Sequence, residues 1–396
     1  MKILLICHRV PFPPNRGGKI RAFNMVRHLS QNHSVVVASL AHTEQERVES
    51  AGLAKYCEQL IVEVLPDSSR WLNACKALAT STPSSVASFW SRGLATKLNE
   101  LLEQTRFDVV LVHCAFVAQY ALQCTDGLRV LDYGDIDSVK WAEYAKWKGF
   151  PLSHGYALEA KKLRAYERDI AAHFHQCTVT TEVEKEEFEN LGTAKPCTVV
   201  PNGVDTTYFT RNGNSGGNAI IFLGRMHYFP NVDGVCYFAQ EVFPLVRREM
   251  PDAEFRIIGS NPSARVRNLA RVPGVTVTGH VADIRSHVRD AGVSVAPLRI
   301  ARGTQNKILE SMAMAIPVVA TPQAAKGVDV VPGRDLLVAS DPGAFAEHVV
   351  RVLRSDSLRR RLVMSSRAQI EKSHLWPKSM TVLEGLLKSQ LAFCEA

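Results

Sequence analysis

The sequence predicts an α/β protein built from two Rossmann-like domains in series. Three observations carry that reading. Short β-branched apolar runs recur along the chain, stretches with helical spacing separate them, and the pattern breaks near the middle and starts again. In the first half the runs are KILLIC (2–7), SVVVASL (34–40), LIVEVL (60–65), DVVLVH (108–113), LRVLDY (128–133) and CTVTT (177–181). Runs of this kind suit a parallel sheet covered by helices on both faces. Phe23, Val26 and Leu29 predict one covering helix, and Leu94, Leu98 and Leu101 another. VVPNGVDTTYF (199–209) and RNGNSGGN (211–218) then supply a Pro-Asn-Gly turn and a Gly/Ser/Asn stretch, which mark an interdomain linker. The second half restarts with AIIFLG (219–224), EFRIIG (254–259), VTVTGH (275–280), VSVAPL (293–298) and PVVAT (317–321). Helices are predicted over 232–249, 263–271, 283–290, 305–315, 342–354 and 356–371. The expected domains are 1–200 and 201–375, with a C-terminal helix over 376–396 returning to the first. Ligands of open α/β sheets bind at the carboxyl ends of the strands, so a cleft between the two domains is the expected site.

Composition narrows the function. The 396 residues are 46% hydrophobic and 22% charged, with 19 Pro and 24 Gly, which excludes a collagenous, disordered or low-complexity chain. No apolar run reaches the ~20 residues that span a bilayer, and the opening MKILLIC reads as a buried strand rather than a signal peptide. Nine scattered cysteines include no C-x-x-C pair, so reduced thiols in the cytoplasm are expected, without a disulfide framework or zinc site. Of the net charge of +8, residues 201–396 carry +7. That field favours an anionic small molecule, a nucleic acid or an anionic membrane surface. Basic residues are not interleaved with aromatics, and Arg359-Arg360-Arg361 reads as a solvated helix face, so nucleic acid is not expected.

Four motifs fall at carboxyl ends of predicted strands. Gly17-Gly18 opens a helix whose exposed N–H groups can hold phosphate or sugar oxygens, the plain alternative being a turn needed for chain geometry. The loop is not G-x-G-x-x-G and no acid closes the second strand, which disfavours a dinucleotide cofactor. His113 ends the fourth run, where an imidazole can donate to a ligand hydroxyl or serve simply as a satisfied core histidine. Asp132, Asp135 and Asp137 invite a Mg²⁺ or Mn²⁺ reading, but two closely spaced carboxylates are a sparse site, and a polar loop or substrate contact is favoured. In the second half Arg225 follows the first strand and can clamp a diphosphate. RGTQNKILESMAMAIPVVAT (302–321) carries the strongest signal: Gly303 and Thr304 are expected to begin a helix, with Lys307 in its first turn and Glu310 one turn deeper. A carboxylate there can accept two ribose hydroxyls while Lys307 and the helix end neutralise phosphates. An ordinary helix with an exposed Lys-Glu pair is the alternative.

These residues resemble the retaining glycosyltransferases of the GT-B fold, the large family four, over nearly the whole chain. PPNRGGKIR is similar to the family's glycine loop, VVPNGVDTTYF to the segment entering the donor domain, LGRM to its donor-side arginine, and KILESMAMAIPVVAT to its signature helix and strand. GRMHYFPNVDGVCYF and GTQNKILESMAM most resemble bacterial sugar transferases of exopolysaccharide and exosortase (PEP-CTERM) systems. The resemblance implies that Glu310 binds the nucleotide ribose, Arg225 and Lys307 the diphosphate, and backbone at Gly303 and Thr304 the donor sugar. It implies too that His113 contacts the transferred sugar, and that Gly17 and Gly18 face the donor phosphate or the acceptor. Two positions depart from the family pattern. Arg302 stands where the first of two glutamates is usual, and Pro230 where a second basic residue is usual; Lys307 is expected to replace that charge.

The expected reaction moves a sugar from a nucleotide-diphosphate sugar to a glycan or lipid-linked acceptor, with retention by same-face attack. Protein cations neutralise the leaving diphosphate, each such group worth about 2.7–4 kcal/mol, so neither a metal nor another cofactor is expected. Domain closure is expected to exclude water. The acceptor places the chain in the cytoplasm, in peripheral contact with the inner membrane face. Two further hypotheses are a non-catalytic nucleotide-sugar-binding partner of a polysaccharide assembly and a nucleotide-sugar epimerase, which needs opposed carboxylates that the motifs do not supply.

Overall fold

In the computed structural model, every long apolar run forms a strand. The structure describes residues 1–210 and 217–395, with side chains to 393; residues 211–216 of the expected Gly/Ser/Asn linker lie outside the described residues. The chain divides into two compact units. The first comprises Met1–Pro201 together with the chain from Ser379, and the second Asn202–Lys378.

In the first unit seven described strands form one sheet: β1 (Lys2–Cys7), β2 (Ser34–Ala41), β3 (Gln59–Val64), β4 (Val109–His113), β5 (Leu128–Gly134), β6 (Gln176–Val179) and β7 (Cys197–Val199). Their order is β3-β2-β1-β4-β5-β6-β7, and every neighbouring pair is parallel. The central strands are apolar on both faces because helices cover each side, as the unbroken runs require. Helix Arg92–Gln104 buries Leu94, Leu98 and Leu101, the expected stripe. The C-terminal helix Trp376–Glu395 buries Met380, Leu383 and Leu387. Its Glu384 meets Nε2 of both His28 and His33, at 2.9 and 3.0 Å.

In the second unit the described strands are β8 (Ala219–Leu223), β9 (Glu254–Ile258), β10 (Val275–Gly279), β11 (Ala291–Ala296), β12 (Val318–Ala320) and β13 (Leu337–Val338). They lie in the order β10-β9-β8-β11-β12-β13, again all parallel. Phe238, Phe243, Phe255 and Phe345 form the aromatic centre of this core.

Several elements differ from expectation. The stretch 232–249 becomes helix Phe229–Tyr237, a π turn over Phe238–Val242, and helix Phe243–Glu249. The stretch 283–290 is one 3-10 turn, Ile284–His287, because β11 starts at Ala291 and leaves no length to propagate a helix. Helix Asp356–Ser373 forms, but Arg359 is not on a solvated face: it is buried and donates to the Val352 carbonyl (2.8 Å) and that of Leu353 (2.5 Å). Those are carbonyls at the end of helix Pro342–Arg354, where a cation is favourable. The described cysteines 7, 57, 75, 114, 124, 177, 197 and 236 are free thiols.

Candidate functional site

Both strand orders reverse direction beside the first strand of their sheet, between β1 and β4 in one unit and between β8 and β11 in the other. At such a switch point the flanking loops leave in opposite directions and open a crevice at the carboxyl ends of the strands. The residues singled out by sequence fall at these two places.

In the first unit, register pairs Cys7 with His113 and His113 with Asp132, so the ends of β1, β4 and β5 lie side by side. His113 is buried, and its Nδ1 lies 2.7 Å from Asp132 Oδ2. Asp132 is fully buried and accepts from Arg21 Nε (2.9 Å), Arg21 Nη2 (2.7 Å) and Thr178 Oγ1 (2.7 Å). Burial pushes the Asp132 carboxyl up, but Arg21 and His113 outweigh it and hold the group well below the usual carboxylate range. An ionised carboxylate only accepts, so His113 carries its proton on Nδ1, and Nε2 is left to meet a ligand. That Nε2 is buried and has no hydrogen-bond partner among the described residues. A Cβ built on Gly18 would lie 3.7 Å from it and 3.4 Å from His8 Cε1, so Gly18 forms the wall beside both rings. Burial drives the His8 imidazole well below its ordinary pKa, and His113 and Arg9 push it the same way, so His8 is neutral at pH 7.

Helix Gly17–Leu29 opens at this point with Gly17 and Gly18 exposed, and Arg16 gives no side-chain cap, so the first-turn N–H groups face outward. The remaining carboxylates of the Asp motif are occupied. Asp135 accepts from Thr180 Oγ1 at 2.9 Å, and Asp137 pairs with Lys140. Among the described residues no cluster of three or more His, Cys, Asp or Glu is placed to hold a metal ion.

In the second unit, Arg225 follows β8, and Asn231 ties its loop to the signature helix. Asn231 Nδ2 donates to the Arg225 carbonyl (3.0 Å), and its Oδ1 accepts from Lys307 Nζ (3.0 Å). A side chain on Gly224 would put Cβ 2.7 Å from Asn231 Nδ2, so only glycine admits this contact. Lys307 also reaches Gln305 Oε1 (3.4 Å) and stands 5.3 Å from the centre of the Phe222 ring. Helix Asn306–Ala313 presents Lys307 and Glu310 about one turn apart, and Ser311 anchors it to Ser294 of β11 at 2.8 Å. Burial lowers Lys307 to about 8, with Glu310 opposing; burial raises Glu310 to about 7, with Lys307 opposing.

Gly303 and Thr304 do not begin that helix. It starts at Asn306, and the two residues form the loop before it. Gly303 takes φ +57°, and Gly327 packs so closely that a Cβ there would sit 1.9 Å from the Gly303 carbonyl oxygen. Pro230 is buried in the first turn of helix Phe229–Tyr237, a place that suits proline because its missing N–H has no partner to lose. Arg299 forms a two-pronged pair with Asp233, at 2.9 and 2.6 Å.

Sequence reasoning missed Arg21, His8 and Asn231, and it read Asp132 with the metal candidates rather than as the group that orients His113. Arg21 and Asp132 are 111 residues apart in sequence, and Asn231 and Lys307 are 76 apart. Nothing local in either segment announces the partner.

A family model described as Glycosyltransferase Family 4 matches residues 15–208, and one described as Glycosyl transferases group 1 matches residues 217–355. The chain is 20% identical over 163 residues to an uncharacterised 44.6 kDa protein in the cps region of Klebsiella pneumoniae. That match covers 39% of this chain and 42% of the Klebsiella protein, less than half the length of either. Among solved structures, sucrose-phosphate synthase from Thermosynechococcus elongatus is similar with a TM-score of 0.71 at 14% identity, over 99% of both chains. Anabaena HepE, solved in complex with UDP, has a TM-score of 0.70 at 13% identity, over 98% of this chain and 100% of that one. A glycosyltransferase from Rickettsia africae has a TM-score of 0.64 at 11% identity, over 98% of both. At these identities the structures speak for the fold alone. With a glycosyltransferase match on each half and a parallel α/β sheet in each unit, the chain belongs with the glycosyltransferases of GT-B fold.

Proposed function

We propose that the protein is a retaining glycosyltransferase of family four that moves a sugar from a nucleotide-diphosphate sugar to a glycan or lipid-linked acceptor. One observation carries this reading most: Arg225, Lys307 and Glu310 are gathered by Asn231 and one helix at the switch point of the second sheet. Two cations and a carboxylate with a pKa near neutrality match the needs of a diphosphate and a ribose diol. In this reading residues 201–375 hold the donor: Arg225 and Lys307 counter the diphosphate, Glu310 accepts the ribose hydroxyls, and backbone at Gly303 and Thr304 meets the sugar. As the glycosidic bond to phosphate breaks, negative charge grows on the leaving diphosphate, and fixed cations stabilise it more than they stabilise the intact donor. The protein supplies those cations itself, so the reading invokes no metal.

Residues 1–200 form the acceptor-side domain in this reading. His113 offers Nε2 to a sugar hydroxyl, its tautomer fixed by Asp132, and Gly17 and Gly18 admit phosphate or acceptor oxygens to the helix end. The carboxylate that adjoins His113 among the described residues, Asp132, is saturated by Arg21, Thr178 and the ring itself and does not suit a nucleophile. Same-face attack assisted by the leaving phosphate is therefore the proposed route to retention. Anabaena HepE has been solved in complex with UDP and with UDP-glucose, which supports a nucleotide-sugar donor. The cps-region relative supports a role in exopolysaccharide synthesis, and the resemblance of GRMHYFPNVDGVCYF and GTQNKILESMAM extends the proposal to an exosortase-associated system at the cytoplasmic face of the membrane.

The test is calorimetry with UDP, GDP, ADP and their sugar conjugates on wild type and Glu310→Ala, followed by NMR of the product anomer. Saturable binding lost in the variant, and a product with the donor's anomeric configuration, are expected. No nucleotide binding at millimolar ligand sinks the donor assignment, and an inverted product sinks retention.

A further inference from the structure

Helices Asp137–Trp147 and Leu152–Ala171 of the first unit form a hairpin. Its root is packed: Tyr144 and Leu163 are buried, and Trp141 stacks on Tyr156 with ring centroids 5.3 Å apart. Its tip is the reverse. Phe150 is 82% exposed, Leu152 61% and Trp147 41%. Large apolar side chains scattered singly over a surface need no explanation, but three within six residues at one turn do.

The charge of the hairpin is predominantly positive. From Asp137 to Arg164 the hairpin holds Lys140, Lys146, Lys148, Lys161, Lys162 and Arg164 against three acids. Those acids are spoken for: Asp137 pairs with Lys140, Glu143 with Lys146, and Glu159 turns to the body, where the N–H groups of Ser84 and Ser85 donate to it at 2.9 and 2.8 Å. Lys162 in turn donates to the carbonyls of Ala77 and Leu78, which brings Leu78, 63% exposed, beside the hairpin. A second copy docking here would set lysine against lysine, so the pattern does not suit self-association. An apolar turn flanked by Lys146 and Lys148 suits an interface that is hydrocarbon within and anionic at its surface.

We propose that this hairpin tip docks on an anionic lipid bilayer. Phe150 and Leu152 enter the acyl boundary, Trp147 lies at headgroup level, and Lys146 and Lys148 meet lipid phosphates. The proposal rests on the functional reading above only for its purpose, which is to hold the enzyme where a lipid-linked acceptor lies. The docking itself needs neither donor nor acceptor.

The experiment is co-sedimentation of the full chain with vesicles of pure phosphatidylcholine and of equimolar phosphatidylcholine and phosphatidylglycerol. Wild type is expected to bind the mixed vesicles and not the neutral ones. Phe150→Ser with Leu152→Ser, and separately Lys146→Glu with Lys148→Glu, are each expected to weaken binding roughly tenfold or more. Phe150, Leu152 and Lys146 are exposed and Lys148 is half-buried, so circular dichroism and UDP calorimetry should match wild type and separate a docking defect from a folding or donor-site defect. Wild type that ignores the mixed vesicles overturns the proposal, as does binding that both double variants retain. A dimer in light scattering that Phe150→Ser with Leu152→Ser makes monomeric, with vesicle binding unchanged, assigns the tip to self-association instead.

Discussion

At the scale of single residues, the first unit turns on one buried charge. Asp132 holds Arg21 and the His113 ring together, so Asp132→Asn leaves the buried Arg21 guanidinium without its counter-charge. Removing one partner of such a pair costs about 3–5 kcal/mol, readable as a fall in unfolding free energy in urea. The pH dependence has a definite sign. A carboxyl whose pKa is lower in the folded state than in the unfolded chain contributes stability above the unfolded value, and that stability fades as pH falls towards the folded one. For Asp132 the loss therefore begins below about pH 4. The Lys307–Glu310 pair behaves oppositely. Burial disfavours both charges, so the strain on the empty protein is greatest where both are charged, between about pH 7 and 8. Donor affinity should peak in that same window, falling below 7 as Glu310 protonates and above 8 as Lys307 loses its proton. Glu310→Gln should then raise the melting temperature of the empty protein at pH 7.5 while abolishing donor binding in calorimetry. A melting temperature lowered by that substitution counts against a site strained for its ligand. His113→Gln tests the other half of the reading: folding is retained, and kcat/KM falls by roughly 10²-fold if Nε2 contacts the transferred sugar.

At the scale of elements, two glycines separate geometry from function. Gly18 has an ordinary helical backbone, and its added Cβ meets only ordinary van der Waals contact, so Gly18→Ala should change unfolding free energy by no more than about 0.5 kcal/mol. Turnover should still suffer, because the methyl stands between a ligand and the histidine rings. Gly327 is the contrast. A Cβ 1.9 Å from the Gly303 carbonyl must push the 303–304 loop aside, so Gly327→Ala should cost about 1–3 kcal/mol and weaken nucleotide binding together. The longer strands were legible in sequence because apolar runs of five to seven residues between turn signals admit few other readings. The two-residue strand β13 was not, since Leu337 and Val338 become a strand only by pairing with Val319 and Ala320. The failed helix over 283–290 has the converse cause. Its periodic residues were real, but β11 claimed the chain that would have extended it.

At the scale of the whole molecule, the last helix joins a distant part of the sequence to the first unit. Lys388, His28 and His33 all reach Glu384 and hold its carboxyl down at about 2. Glu384→Ala should therefore destabilise the first unit, with the difference from wild type shrinking as pH falls below about 4, where the unfolded chain takes up its proton. Truncation before Ser379 removes Met380, Leu383 and Leu387 from the core as well. Calorimetry should show one transition moving down while that of Asn202–Lys378 stays in place. If both transitions move together, the two units unfold as one.

The sequence by itself determined the alternation of strands and helices, the break near residue 200, and the candidates Gly17, Gly18, His113, Arg225, Lys307 and Glu310. Each of these is written in local patterning, where burial on both faces of a strand or one face of a helix leaves a periodic mark within a few residues. Only the tertiary structure decided what those candidates touch. It gave Asp132 to Arg21 and His113 rather than to a metal, joined Arg225 to Lys307 through Asn231, moved Gly303 and Thr304 out of the helix, and buried Arg359. The reason is physical: a parallel sheet brings together the carboxyl ends of strands that lie scores of residues apart. Their polar groups are then obliged to satisfy one another across distances that no local pattern records.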